Sequence, residues 1–305
     1  MCTLPLVGLG KAPYNCVFPI SCHNLKDTLM SEPFSALPAP LRIGAVSYLN
    51  TKPLVYRLAE SLPEAEVVYE LPSRLSAALA VGELDIALVP SIELATHPEW
   101  TIVSDVCIGC RGPVLSVKLA FRVPPAQVRT LALDEGSRTS AVLAQILLHD
   151  LHGIRPRLSS LPIGCELDDS DADAVLMIGD RAIRTDESCC DQVWDLGDRW
   201  CRWTELPFVF AMWMARRIVS TPTIAGALAA ARDEGCRNLT EIAQDQAAAM
   251  RLPLALVEEY LCKNLHFHFG IQQQRGLNLF YERAAALGFI PSVPRVMIDD
   301  CTVER

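Results

Sequence analysis

The sequence predicts an α/β protein of two lobes with a helical C-terminal tail. Three observations predict it. Short apolar strands alternate with amphipathic helices from Leu41 onward. A second run of the same kind follows the Pro124-Pro125 break. After the apolar stretch Phe208 to Met214, the patterns are mostly helical.

The elements read in order as follows. Leu41 to Val46 is a buried strand, and Pro53 to Leu62 a helix with Thr51 near its cap and Pro53 in its first turn. Glu66 to Leu71 is a second strand. Ser73 caps a helix that runs to about Val81, where Gly82 stops it. Leu84 to Val89 is almost wholly apolar, as a parallel strand covered on both faces should be. Leu115 to Phe121 is a strand, Thr130 to Leu133 another, and Ser137 caps a helix to about Leu151. That helix carries Val142, Leu143, Ile146 and Leu147 on one face. Arg157 to Leu161, Ala172 to Ile178 and Phe208 to Met214 complete the strands. Helices follow at Thr221 to Glu234, Thr240 to Met250, Pro253 to Leu261 and Gln273 to Leu287.

The expected lobes are 41–121 with 211–291, and 122–210. Their crossings fall near Phe121 to Pro125 and near Pro207 to Phe210. Residues 1–40, punctuated by Pro33, Pro38 and Pro40, form an extension expected to be partly disordered, and 292–305 a tail.

The 305 residues are half hydrophobic and 21% charged, with a formal net charge of -9. That is enough chain for a large core. An acidic chain without a basic stripe argues against nucleic acid. No run reaches the ~20 apolar residues of a membrane span. The start lacks a basic head before an apolar run, so the expected location is cytoplasmic. Of twelve cysteines only Cys107 and Cys110 form a C-x-x-C, in a stretch whose glycines and Pro113 suggest a turn. Reduced, buried thiols are the simpler reading. Nucleotide-binding glycine loops and zinc-type H-E-x-x-H patterns are missing. His266 and His268, taken as helical, would not share a face. No metal and no cofactor is expected.

Four stretches could carry chemistry. Ser47, Tyr48, Asn50 and Thr51 lie where the first strand meets the first helix, a place that faces a ligand in open α/β folds. They would equally serve as a plain cap turn. Gly112 and Pro113 shape a loop feeding a strand that carries Ser116, a hydroxyl able to donate and accept, or merely a ladder-side serine. Ser137, Arg138, Thr139 and Ser140 open a helix after a strand, which is either an anion site or a capped helix with a solvated arginine. Asp180 ends an apolar strand and either caps the next helix or faces the cleft.

Taken together, Ser47 to Leu54, Gly112 to Val117, Ser137 to Ser140 and Leu206-Pro207-Phe208-Val209-Phe210-Ala211 resemble the motifs of the menaquinone-pathway chorismate dehydratases. The likeness runs in order from about Leu41 to Pro291. It implies a type 2 periplasmic-binding-protein-like fold used as a hydro-lyase that turns chorismate into 3-[(1-carboxyvinyl)oxy]benzoate and water. It implies Asn50 and Ser116 as catalytic residues. Substrate contacts are expected from Ser47, Tyr48, Thr51, Gly112, Pro113, Ser137, Arg138, Thr139, Ser140, Asp180 and Phe208. Neither Asn50 nor Ser116 titrates near neutrality, so the expected base is the substrate's enolpyruvyl carboxylate, with Asp180 as the protein alternative. Two other readings stay open: the 1,4-dihydroxy-6-naphthoate synthase of the same route, whose first loop is a Ser-Pro-Cys-Pro turn, and a non-catalytic binding protein for a small carboxylate. The partner in every case is a small molecule, with no nucleic acid and no membrane. The sequence leaves the oligomeric state open.

Overall fold

The computed structural model describes residues 40–216 and 222–297. The N-terminal extension and the end of the tail, from 298, lie outside the described residues.

Strand β1 (Leu41–Val46) begins the first sheet. The turn that follows does not form the expected helix from Pro53 to Leu62. Leu49–Val55 is a 3-10 turn, and only α1 (Leu58–Ser61) is α-helical. Pro53 supplies no N–H inside the turn, and Arg57 sits at φ 52, which stops any continuous helix. Next come β2 (Ala65–Glu70), α2 (Pro72–Val81) and β3 (Ile86–Pro90). Gly82 ends α2 at φ 81, as its side-chain-free backbone allows; Ser73 is helical, and the cap position is Leu71. After α3 (Glu93–Thr96), β4 (Thr101–Cys110) runs for 10 residues through the ground expected to be a turn. Cys107 and Cys110 are therefore fully buried strand residues; burial pushes the Cys107 thiol up, and the Cys201 contact followed by burial pushes the Cys110 thiol up.

The second sheet is built from β5 (Val117–Phe121), β6 (Thr130–Asp134), β7 (Arg157–Leu161), β8 (Ala174–Ile178) and β9 (Gln192–Asp195). Between them lie α4 (Thr139–His152) after β6 and α5 (Gly179–Arg184) after β8. Helix α6 (Leu196–Thr204) follows, and β10 (Phe208–Ala215) returns to the first sheet. The tail holds α7 (Pro222–Arg237), α8 (Leu239–Met250), α9 (Leu254–Glu259), a π turn over Tyr260–Asn264, β11 (His266–His268) and α10 (Ile271–Ala286).

The strand orders are β11-β4-β10-β3-β1-β2 and β7-β6-β8-β5-β9. Pairings β1 with β2, β1 with β3, β6 with β7 and β6 with β8 are parallel; β10 and β5 run antiparallel to their neighbours. Two corrections follow. β5 belongs to the second sheet, because its Val117 to Phe121 edge pairs with Ile178 to Ala174. The first crossing thus lies between Cys110 and Val117 rather than near Phe121 to Pro125. The return lies before Phe208, since Phe208 already pairs with Cys110 in the first sheet. Ser116 consequently stands in the crossing itself.

The second correction concerns His266 and His268. They lie on a strand, where residues two apart point the same way. His268 meets Asp105 at 3.0 Å, while His266 Nε2 is buried without a partner. Among the described residues no three His, Cys, Asp or Glu side chains gather as ligands for a metal.

Helix α4 shows how the core is held. Its Leu143, Ile146, Leu147 and Leu148 are fully buried, each contributing about 1.5–3 kcal/mol on leaving water. Truncating one, as in Leu147→Ala, would cost about 2–5 kcal/mol. That packing fixes the N-terminus of α4 at the end of β6, where the cleft opens.

Candidate active site

The loops at the C-terminal ends of β1, β3, β6 and β8 meet over one cavity, lined also by residues of the Cys110–Val117 crossing and of β10. With its open mouth it spans about 520 Å³ of non-atom space. Seven of the expected residues line it: Tyr48, Asn50, Ser116, Ser137, Arg138, Thr139 and Ser140.

Asn50 comes from the 3-10 turn after β1. Its Oδ1 accepts from the Thr51 hydroxyl at 3.3 Å. Thr51 is fully buried and does not reach the cavity; its part is to hold the Asn50 amide. The turn is pinned from the other sheet, since the Leu49 N–H donates to Asp180 Oδ1 at 3.0 Å. Asp180 is therefore occupied by backbone and is not a lining residue. Burial pushes its carboxyl up, and the Leu49 bond works against that.

Tyr48 crosses between the sheets. A Cβ on Gly179 would come within 2.6 Å of its ring, and one on Gly136 within 3.4 Å of its hydroxyl. Gly179 also adopts φ 65, so both space and backbone restrict this position to glycine. Burial pushes the Tyr48 phenol up, with Asp134 adding to the effect. Asp134 itself receives N–H groups from Gly136 at 2.9 Å and Ile178 at 3.2 Å, and pairs with Arg181 at 2.5 Å. This network fixes both loops of the second sheet that face Tyr48.

Ser116 is delivered by strained backbone. Leu115 has φ 65, a region costly for a leucine. What holds it is Asp195, whose carboxylate accepts from the Val114 N–H at 3.0 and 2.9 Å and from the Leu115 N–H at 2.6 Å. The same carboxylate caps α6 by accepting from Asp198 N–H at 3.0 Å. Burial pushes it up, while those N–H bonds oppose the shift. Gly112 and Pro113 lie outside the cavity lining. They shape the loop, and the Pro113 carbonyl accepts from Asn264 at 3.1 Å.

The opening of α4 forms the third wall. Arg138, not Ser137, holds the cap position, with no side-chain cap bond. The Ser137 hydroxyl is buried, borders the cavity and has no partner. Arg138 pairs at 2.7 Å with Glu93, which is 2% exposed. Its charge is already balanced, so a ligand there meets mostly N–H groups and hydroxyls. Thr139 Oγ1 accepts from the Ile92 N–H at 3.1 Å, joining α4 to the first sheet.

Ser47 and Phe208 also lie outside the cavity lining, as Thr51, Gly112, Pro113 and Asp180 do. Ser47 is exposed and outside the lining; its N–H bonds the Glu70 carbonyl at 3.0 Å. Phe208 is fully buried among Trp200, Phe210 and Phe280, and Phe210 takes the lining position. A register shift in β10 between Val209 and Ala211 brings both Phe210 and Ala211 to the cavity. Apolar walls from Val46, Ile108 and Val114 complete it.

A family model described as menaquinone biosynthesis matches residues 41–286. This chain belongs to that menaquinone biosynthesis family. Among curated proteins similar to this family member is a chorismate dehydratase of Thermus thermophilus. It is 32% identical over 270 residues, 83% of this chain and 97% of that protein. A chorismate dehydratase of Campylobacter jejuni is 28% identical over 174 residues, 55% of this chain and 64% of that one. Solved structures share the fold. A protein of Archaeoglobus fulgidus superposes with TM-score 0.66 at 16% identity, covering 82% of this chain and 98% of its own. The alkanesulfonate-binding protein of Xanthomonas axonopodis, bound to MOPS, gives 0.61 at 15%, covering 86% and 98%. At such identities they show the fold alone: the menaquinone-family chain has a two-lobed, periplasmic-binding-protein-like architecture with C-terminal helices.

In this family member, sequence reasoning missed Asp195, Phe210 and Tyr260. Asp195 is distant in sequence from the loop it holds, and its one local signal is an Asp three residues before Asp198 at a helix start. Tyr260 is fully buried, its hydroxyl closes no hydrogen bond, and Asn50 and Ser116 are side chains near it.

Proposed function

We propose that this chain is a hydro-lyase that converts chorismate to 3-[(1-carboxyvinyl)oxy]benzoate and water. The observation that carries the reading is convergence. Asn50 and Ser116, from separate stretches of sequence, border the same cavity as the open N-terminus of α4. The membership in the menaquinone biosynthesis family and the likeness to named chorismate dehydratases support it.

The chemistry needs little from the protein beyond grip. The C–H bond at the ring carbon bearing the enol ether breaks and its electrons enter the ring. The neighbouring C–O bond breaks, and proton and hydroxide leave together as water. The ring becomes aromatic, which drives the step. The substrate's enolpyruvyl carboxylate takes the proton in this reading, since Asp180 is held by Leu49 outside the cavity lining. The free N–H groups of α4 and the Ser137 hydroxyl receive a substrate carboxylate, as helix starts favour anions. Asn50 and Ser116 hold the reacting groups and stabilise the departing hydroxyl. Orientation of this kind is worth up to about 7–11 kcal/mol, and one placed donor about 3 kcal/mol. Phe210 and the apolar walls keep water from the ring. The same reading places the enzyme in the cytoplasm, which cell fractionation tests.

The experiment is direct. Purified protein is mixed with chorismate while diene absorbance is followed and the product identified by mass. Loss of the diene with formation of the benzoate supports the proposal. Binding without turnover would contradict it.

A further inference from the structure

We propose that Tyr260 is a positioning residue for this reaction, its hydroxyl orienting both Asn50 and Ser116 from behind the cavity. The proposal rests on the chorismate dehydratase reading and extends it to a residue outside every motif described above.

Three observations carry it. First, Tyr260 is fully buried and its hydroxyl closes no hydrogen bond of good geometry. Buried hydroxyls are nearly always paired, and phenylalanine would fill the same space without an unpaired polar atom. Second, with the Asp180 and Asp195 charges farther off, Asn50 and Ser116 are polar side chains near that hydroxyl. Both line the cavity and Tyr260 does not, so it acts through them. Third, Tyr260 begins the π turn Tyr260–Asn264, a form found mostly as single turns and frequent at functional sites. The far end of the turn is tied to the crossing loop, because Asn264 Nδ2 donates to the Pro113 carbonyl at 3.1 Å. The turn therefore sets the phenol against the loop that presents Ser116.

The groups form a directed chain once substrate is gripped. The Asn50 amide donates to the phenol oxygen, and the phenol donates to Ser116 Oγ. Ser116 then gives its own hydrogen to the departing hydroxyl as a hydrogen bond. No proton needs to leave Tyr260. Burial pushes its phenol up and keeps it protonated at neutral pH.

Tyr260→Phe removes one oxygen and keeps the ring. The expected result is a melting temperature equal to or above wild type, KM within about threefold, and kcat lowered about 10- to 100-fold, in the range of a lost orienting contact. The second arm repeats the change in a Ser116→Ala background. If Tyr260 works through Ser116, the added loss there is under threefold; a merely structural role would give the full loss again. A Tyr260→Phe enzyme with kcat within twofold of wild type, or full additivity with Ser116→Ala, overturns the inference while leaving the dehydratase reading intact. Wild-type protein inert toward chorismate overturns that reading, and the inference falls with it.

Discussion

Asp195→Ala is the sharpest perturbation the crossing loop offers. The carboxylate accepts from the backbone of Val114, Leu115 and Asp198, at 2.6 to 3.0 Å. Bonds to a charged acceptor are worth about 1.5–3 kcal/mol each, and an orphaned buried donor costs about 1–3 kcal/mol. Losing the α6 cap alone costs about 1 kcal/mol. Against this, Asp195 is pushed up by burial, so part of its bonding serves to offset its own desolvation. Leu115 would also relax from φ 65, returning about 1–3 kcal/mol of strain. The balance is a loss of about 2–4 kcal/mol, read from urea unfolding. Relaxation of Leu115 moves the next residue, Ser116, and a shift near 1 Å is enough to lower turnover about 10²-fold. Asp195→Asn keeps one acceptor oxygen and should fall between. An Asp195→Ala protein within about 0.5 kcal/mol of wild type and with unchanged kcat would refute the claim that this carboxylate holds the loop.

Three further outcomes are expected. Gly179→Ala places a Cβ within 2.6 Å of the Tyr48 ring at φ 65, costing about 1–3 kcal/mol of strain and raising KM; an unchanged melting curve and KM would contradict the contact. Arg138→Ala leaves Glu93, 2% exposed, without its 2.7 Å partner. Because Arg138 is half exposed, the stability loss should be about 1–2 kcal/mol rather than the full cost of a buried pair, and restoration by Glu93→Gln in the same protein would confirm that the arginine serves Glu93. His266 is pushed down to about 4 by burial and by Arg111, His268 and Arg232. Its unfolded form titrates near 6.5, so the unfolded state binds more protons between those values. Its contribution is intact above pH 6.5 and is lost as pH falls toward 4, on the order of 1–2 kcal/mol after allowing for partial exposure. His266→Gln should therefore flatten the fall in urea midpoint between pH 7.5 and 5; an equal fall in both proteins would refute it.

Much of the fold was legible because local and tertiary preferences agree there. β1, β3 and the helix stop at Gly82 follow from apolar runs and one residue at positive φ. The α4 site was legible because a strand, a polar turn and an amphipathic helix come in order. β4 was hidden because Cys107 to Cys110 reads as a turn, while in the sheet those residues are covered on both sides by β10 and β11. The break in the first expected helix was half visible at Pro53, but nothing announced Arg57 at φ 52. Asn50 and Ser116 stood out as motif members. Their supports did not: Asp195 and Tyr260 reach them only through the folded chain. Phe208 and Phe210 differ by a register shift that no alternation pattern shows.

The central claim is that uncharged groups converging on one cleft perform the dehydration. Steady-state turnover of chorismate by Asn50→Ala and by Ser116→Ala, alongside their melting curves, tests it most directly. The expected result is a kcat at least about 10²-fold below wild type in each, with melting temperatures within a few degrees. Near-normal turnover in either variant would take that residue out of the chemistry and contradict the claim.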